Sequence, residues 1–371
     1  MAIEFAQRIR RIPAYPLAAG YDLGNDVAML ASNESSFPPL PAVVQAAQRV
    51  LSGAHRYPDP AYSPLRGALA DRYGIPAPRI ALGNGSCDLL LAAGEALLEP
   101  GAEVLYAWPA FSVYPHLAAA SGARAVEVAL DGEDRHDLPA MAAELTAATR
   151  LVLLCNPNNP TSTALSLEQV ESFLKRVPAH VCVILDEAYC EFALTLGDPY
   201  ASVALLRRHP NLVLLRTFSK VYGLAGLRVG YALCGSEDFR IAVDQVRQPF
   251  HLNLAAQAAA VEALKHQDEV ERRVSATIAA RLELEDGVRA HGLWVAQSDA
   301  NFIWVRLPEA QDAGAAQAGP AAPEVALVAG LRERGVLVRA GASLGRPGAL
   351  RVTVGTPAEN ARFVAALAQL L

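Results

Sequence analysis

Arg216-Thr217-Phe218-Ser219-Lys220 follows directly on an apolar run, and Arg228 comes after Gly223 and Gly226. Thr217 and Ser219 set two hydroxyls beside an amine, and the glycines let the backbone turn back tightly. Hydroxyls and a guanidinium fork suit a phosphate monoester, while the lysine can condense with a nearby aldehyde. A lysine on a loop is solvated in most proteins, so the reading depends on what else accompanies it.

Three further groups do. Asp186 ends the apolar run Val183-Ile184-Leu185, where ligands bind in open α/β sheets. It reads either as a cap or loop carboxylate or as the partner of a protonated ring nitrogen, with Tyr189 three residues on able to donate to a ring oxygen. In Asn156-Pro157-Asn158-Asn159-Pro160-Thr161-Ser162, the prolines stiffen what is otherwise an ordinary turn. Asn159 is then held to hydrogen-bond a phenolate, which would lower the pKa of a linked imine. Gly83-Asn84-Gly85-Ser86-Cys87 opens a helix, so the backbone N–H groups of Ser86 and Cys87 can face a phosphate. The same turn is a poor dinucleotide fingerprint, because the third glycine is absent.

The elements that must position these groups alternate in the manner of βαβ units, which predicts an α/β protein with a mostly parallel sheet between helical layers. Candidate strands are Ile80–Leu82, Glu103–Tyr106, Leu151–Cys155, Val181–Leu185, Leu212–Leu215 and Val229–Leu233. Candidate helices are Cys87–Leu98, Leu138–Ala148, Leu167–Arg176 and Glu237–Arg247. From Leu254 a long helical stretch reaches about Ala290, followed by the runs Phe302–Leu307, Val336–Arg339 and Leu350–Val354 with helices at Glu324–Arg334 and Ala358–Leu371. The division expected is a large domain over 36–253, with 1–35 and 254–371 forming an N-terminal arm and a smaller α+β domain. Residues 309–323, mostly Ala, Gly, Pro and Gln, read as a surface loop. No internal repeat is found.

Composition narrows the function. A formal charge of −6 over 371 residues offers no basic field to nucleic acid. The arginines of Met1–Arg11 precede no apolar run, so a secretory signal is not expected, and no stretch of about 18 apolar residues predicts a membrane helix. Five cysteines without Cys-x-x-Cys spacing and scattered histidines point to reduced thiols, a cytoplasmic setting and no metal site.

Taken in order, the Gly-rich turn, Asn-Pro turn, strand-terminal Asp, Ser-Lys and Arg resemble the fold-type I, class I/II aminotransferases that use pyridoxal 5'-phosphate. The resemblance spans nearly the whole chain. Leu30-Ala31-Ser32-Asn33-Glu34, Arg56-Tyr57-Pro58-Asp59, Arg247-Gln248-Pro249-Phe250 and Leu350–Thr356 direct it to the histidinol-phosphate aminotransferase branch. It implies a three-layer αβα large domain with a smaller α+β domain. Lys220 would hold the cofactor as a Schiff base and then act as general base, with Asp186 on the pyridine nitrogen and Asn159 and Tyr189 on the phenolic oxygen. Ser86, Cys87, Thr217, Ser219 and Arg228 would bind the phosphate, and Phe111 would stack on the ring. Tyr57 would reach the phosphate of a neighbouring subunit, implying a homodimer with shared sites. Tyr15, Asn33, Arg339 and Arg351 would engage the substrate.

Two positions depart from the family pattern: Ser162 replaces the usual glycine after Asn-Pro-Thr, and Cys87 replaces an acid after Gly-Ser. The expected reaction is transamination of histidinol phosphate with 2-oxoglutarate. Aromatic amino acid (phenylalanine) transamination is the nearest alternative, followed by threonine-phosphate decarboxylation. A PLP-binding regulator would need a DNA-binding domain for which the first thirty residues are too short. A nicotinamide oxidoreductase would rest on Gly83–Ser86 alone.

Overall fold

The computed structural model describes residues 3–5, 7–12, 26–308 and 323–371. A short strand, β1 (Ala28–Met29), precedes the main sheet, whose strands are β2 (Ile80–Gly83), β3 (Glu103–Trp108), β4 (Arg124–Ala129), β5 (Thr149–Cys155), β6 (Cys182–Asp186), β7 (Leu212–Thr217) and β8 (Gly230–Cys234). They lie in the order β2-β8-β7-β6-β5-β3-β4. Neighbours from β7 to β4 run parallel, and β8 runs antiparallel to both β7 and β2. Leu151–Leu154, Val183–Leu185 and Leu212–Leu215 are buried on both faces, the reason these strands read as unbroken apolar runs. β4 is a strand beyond those expected. As an edge strand it turns only Val126 and Val128 inward, too few to stand out as an apolar run.

Helices cover both faces. Ser86–Leu97, Tyr114–Ser121 and Asp238–Val246 bring Leu89, Leu90, Tyr114, Leu117 and Val243 to one core. Pro41–Val50, Ser63–Tyr73, Leu167–Leu174 and Leu254–Ala263 bring Val43, Leu65, Leu69, Val170, Phe173 and Ala260 to the other. The α/β three-layer fold expected from the sequence is therefore present.

Two expected helices need correction. The stretch from Leu254 to Ala290 is two helices, Leu254–Ala263 and Gln267–Arg289. The first buries alanines against the large sheet's helices, while the second runs from Val270 in that same core to Leu284 and Val288 in a separate one. At the break Glu262 accepts from Lys265 Nζ (2.8 Å) and contacts His266. The helix begun at Leu138 ends at Ala143, short of Ala148, because Thr146 turns to donate its hydroxyl to the buried carboxylate of Glu103 (2.6 Å).

The second core sits against a small antiparallel sheet of β9 (Trp294–Val295), β10 (Phe302–Arg306), β12 (Arg339–Ala340) and β13 (Ala349–Thr353), ordered β12-β13-β10-β9, with β11 (Val336–Leu337) paired to β1. The helix Pro357–Ala368 packs on it through Phe363 and Leu367 and starts at a reciprocal Thr356–Glu359 capping box. Residues 309–322 of the Ala/Pro-rich loop and Tyr15 lie outside the described residues. No helix of the described residues is long and apolar enough to cross a membrane.

Candidate active site

The parallel strands end together and deliver side chains to one place. Cys155 and Asp186 are register partners at the ends of β5 and β6, and Thr217 closes β7 opposite Gly230. Around these ends opens a cavity of ≈ 320 Å³, lined among others by Ser86, Cys87, Phe111, Asn159, Asp186, Tyr189, Thr217, Ser219, Lys220 and Arg228. Ten residues singled out from scattered sequence motifs thus share one wall. Ser32, Glu34, Cys155 and Ala188 join them without having been assigned a role beforehand.

One end is built for an anion. Gly85, with φ of 79°, leads into the helix at Ser86 without a side-chain cap, which leaves first-turn N–H groups for a ligand. The approach is close: a Cβ on Gly85 would run into the Arg228 guanidinium, and one on Gly230 into the Ser86 amide. Thr217 donates to Ser219 Oγ (2.9 Å) and accepts from the Ser219 amide (3.0 Å), which fixes both hydroxyls. Arg228 turns into the cup from a left-handed backbone (φ 55°) and donates to the Ala225 carbonyl (2.9 Å). Asp88, next to the departing Cys87, points away, accepting from the Asn84 amide (3.0 Å) and facing Arg247. The missing acid at Cys87 therefore leaves the cup intact.

At the other end stands Asp186, fully buried. Its carboxyl accepts from Tyr114 Oη (3.2 Å) and the Ala188 amide (3.3 Å). Burial pushes its pKa up to about 6, and the Tyr114 hydroxyl pulls against that shift. The next residue, Glu187, makes a two-bond ion pair with Arg216 (2.8 and 2.9 Å), with both side chains buried. That pair braces the ends of β6 and β7 beside Asp186 and Thr217.

Tyr189 accepts from Asn33 Nδ2 (3.2 Å) and Asn159 Nδ2 (3.3 Å), so its own hydrogen is left to donate. Burial raises its pKa and keeps it a phenol. Asn159 is oriented by Arg351, whose guanidinium donates to Asn159 Oδ1 (2.7 Å) and to the Ala31 carbonyl (2.6 Å). Lys220 donates to the Asn33 carbonyl (2.9 Å), and its Nζ lies 5.4 Å from the Tyr189 ring centroid. Burial, then Arg351, then Arg228 lower its pKa to about 8, against the pull of Glu34.

Not every expected residue lines the cavity. Tyr57 is 81% exposed and stacks on Phe250, with centroids 4.7 Å apart. Arg339 is half-buried on β12, directly across from Arg351. Asn33 acts from behind, through its carbonyl on Lys220 and its amide on Tyr189.

The residues present fit pyridoxal phosphate. The glycine-lined cup with hydroxyls and a guanidinium matches its phosphate, the carboxylate opposite matches its ring nitrogen, and a buried amine lies between.

Comparison with known proteins agrees. The family model for aminotransferase class I and II matches residues 25–367. The chain is 43% identical to an aromatic amino acid aminotransferase of Thermobifida fusca, covering 91% of this chain and 88% of that one. It is also 43% identical to histidinol-phosphate aminotransferase 1 of Cupriavidus pinatubonensis, covering 93% and 88%. The crystal structure of histidinol-phosphate aminotransferase from Sinorhizobium meliloti in complex with pyridoxal-5'-phosphate superposes with a TM-score of 0.82 at 30% identity, over 92% of this chain and 90% of that one.

Proposed function

The chain belongs to the class I and II aminotransferases and uses pyridoxal 5'-phosphate, and from that premise we propose that it transfers the amino group of histidinol phosphate to 2-oxoglutarate. The observation that carries this choice is the cross-strand register of Arg339 on β12 and Arg351 on β13, which sets two arginines opposite each other in the small sheet. A pair of arginines suits a phosphate dianion better than a single carboxylate. The Glu34 carboxylate in the cavity wall also favours an imidazole over a phenyl ring at the other end of the donor.

The bound cofactor supplies an aldehyde that condenses with amines and a protonated ring that takes up the electron pair released at the substrate's Cα. The chain's residues supply the rest. Thr217, Ser219, Arg228 and the helix start at Ser86 hold the phosphate; Asp186 keeps the ring nitrogen protonated; Asn159 and Tyr189 hold the phenolic oxygen; Phe111 covers the ring. Lys220 would anchor the cofactor, and its free amine would take the substrate's Cα proton. Its lowered pKa leaves part of the population neutral near physiological pH, as a base requires. Tyr57, exposed on one protomer, reaches the cofactor phosphate of a second copy in a homodimer.

A second reading, aromatic amino acid transamination, draws on the T. fusca relative, since both donors join an aromatic ring and an anion to one amine. Comparing kcat/KM for histidinol phosphate and phenylalanine with 2-oxoglutarate decides between them. A clear preference for phenylalanine would overturn the choice made here.

A further inference from the structure

We infer that Tyr114 is a positioning residue for the cofactor ring, holding Asp186 as the anion that faces the pyridine nitrogen; this rests on the role proposed above for Asp186. Tyr114 is the first residue of the helix Tyr114–Ser121 and is wholly buried. Its ring is held edge-on by Tyr106 (centroids 5.8 Å apart) and by the cavity residue Phe111 (5.9 Å). Tyr106 is in turn fixed by donating its hydroxyl to Glu127 (2.8 Å). So clamped, the Tyr114 hydroxyl reaches Asp186 Oδ2 at 3.2 Å, with the Cys155 thiol as its other neighbour.

The division of labour at the carboxylate follows from its contacts. Oδ1 takes the Ala188 amide, and Oδ2 takes Tyr114. The other ionisable groups around Asp186 are Lys220, Glu187, Cys155, Cys87 and Tyr189. Lys220 favours the anion and Glu187 opposes it, though Glu187 is already engaged by Arg216. Burial keeps both thiols and the Tyr189 phenol protonated and neutral. Burial also raises the pKa of Tyr114, so it can only donate to Asp186. A protonated Asp186 could not hold a pyridinium, and among its neighbours Tyr114 opposes that state most strongly. Tyr114 thereby joins the stacking residue Phe111 to the nitrogen partner Asp186 in a single rigid unit.

The test is cofactor binding rather than turnover. Cofactor-free wild type, Tyr114→Phe, Tyr106→Phe and Asp186→Asn are titrated with pyridoxal phosphate from pH 5 to 9, and each variant's Kd is divided by that of wild type at the same pH. For Tyr114→Phe the ratio should stay near one at pH 9 and climb to roughly ten by pH 5, as a one-unit rise in the Asp186 pKa requires. Tyr106→Phe, which alters the same packed cluster but not the bond to Asp186, should stay flat. A flat ratio for Tyr114→Phe overturns the inference. Equal affinity of Asp186→Asn and wild type at every pH instead overturns the assignment of Asp186 itself. Should Tyr114→Phe not fold, 3-fluorotyrosine at position 114, a stronger donor, must lower the ratio below one at acidic pH; an unchanged ratio again overturns it.

Discussion

Lys220 donates through Nζ to the backbone carbonyl of Asn33 at 2.9 Å, joining residues 187 positions apart. Asn33 can offer that carbonyl because it sits in a left-handed backbone conformation (φ 54°) that asparagine tolerates, with its amide anchored on Thr353 Oγ1 (2.9 Å). The amine is thus aimed by a segment running along the small sheet, while the residues around it come from the large one. This geometry ties the anchor lysine to both parts of the fold.

Burial of Lys220 has a pH signature. With a folded pKa near 8 against 10.5 for an ordinary lysine, the buried charge is a cost fully present below pH 8. As pH rises from 8 toward 10.5 the folded chain has released a proton that the unfolded chain still holds, so this cost fades, by at most about 3 kcal/mol. Urea unfolding of the cofactor-free protein should therefore show wild type gaining on Lys220→Met across that window. Arg351→Met should move the start of the gain to higher pH. A constant difference between wild type and Lys220→Met would contradict the assigned environment.

The Arg216–Glu187 pair sets up a second test. Glu187→Ala leaves a buried guanidinium without its ion-pair partner and should cost about 3–5 kcal/mol in urea unfolding. Replacing both partners with Met and Leu should cost less than the single change. A single change below about 1 kcal/mol would mean that the pair does not brace β6 and β7.

Ser162 occupies a left-handed position (φ 62°), and its buried hydroxyl has no hydrogen-bond partner among the described residues. Both features explain why the family pattern has glycine there. Ser162→Gly should raise stability by about 1 kcal/mol, read as a higher urea midpoint with an unchanged slope. A lower midpoint would show that the serine contributes something the fold does not reveal.

Subunit sharing is open to a mixing experiment. Tyr57→Phe and Lys220→Ala chains are each impaired, but a hybrid dimer regains one intact site if Tyr57 serves its partner. Activity should recover on mixing after unfolding and refolding together. No recovery, with hybrid dimers present, would place Tyr57 in its own subunit's site.

What could be read beforehand divides on physical lines. Asp186, Thr217, Lys220 and Arg228 sit at or just beyond strand ends, and a buried strand announces itself by its apolar run, so their convergence was legible. Tyr114 lies 72 residues from Asp186, and Arg351 lies 192 from Asn159. Nothing local marks such pairs, because the hydrogen bonds that define them exist only after the layers pack. The break at Leu264–His266 was hidden for a related reason. No glycine or proline marks it in the sequence. Glu34 closes the Leu30–Glu34 stretch that carried the resemblance, yet nothing local marked it as lining the cavity.

The chain has three lysines, and that makes the anchor directly testable. Lys175 and Lys265 are exposed and paired with Glu171 and Glu262, leaving Lys220 as the buried amine. Protein saturated with pyridoxal phosphate, reduced with borohydride, digested and weighed by mass spectrometry should carry the reduced cofactor on the peptide containing Lys220. Lys220→Ala should lose both the adduct and the yellow absorption band. A stoichiometric adduct on Lys175 or Lys265, or a Lys220→Ala protein that keeps the band, would contradict the account.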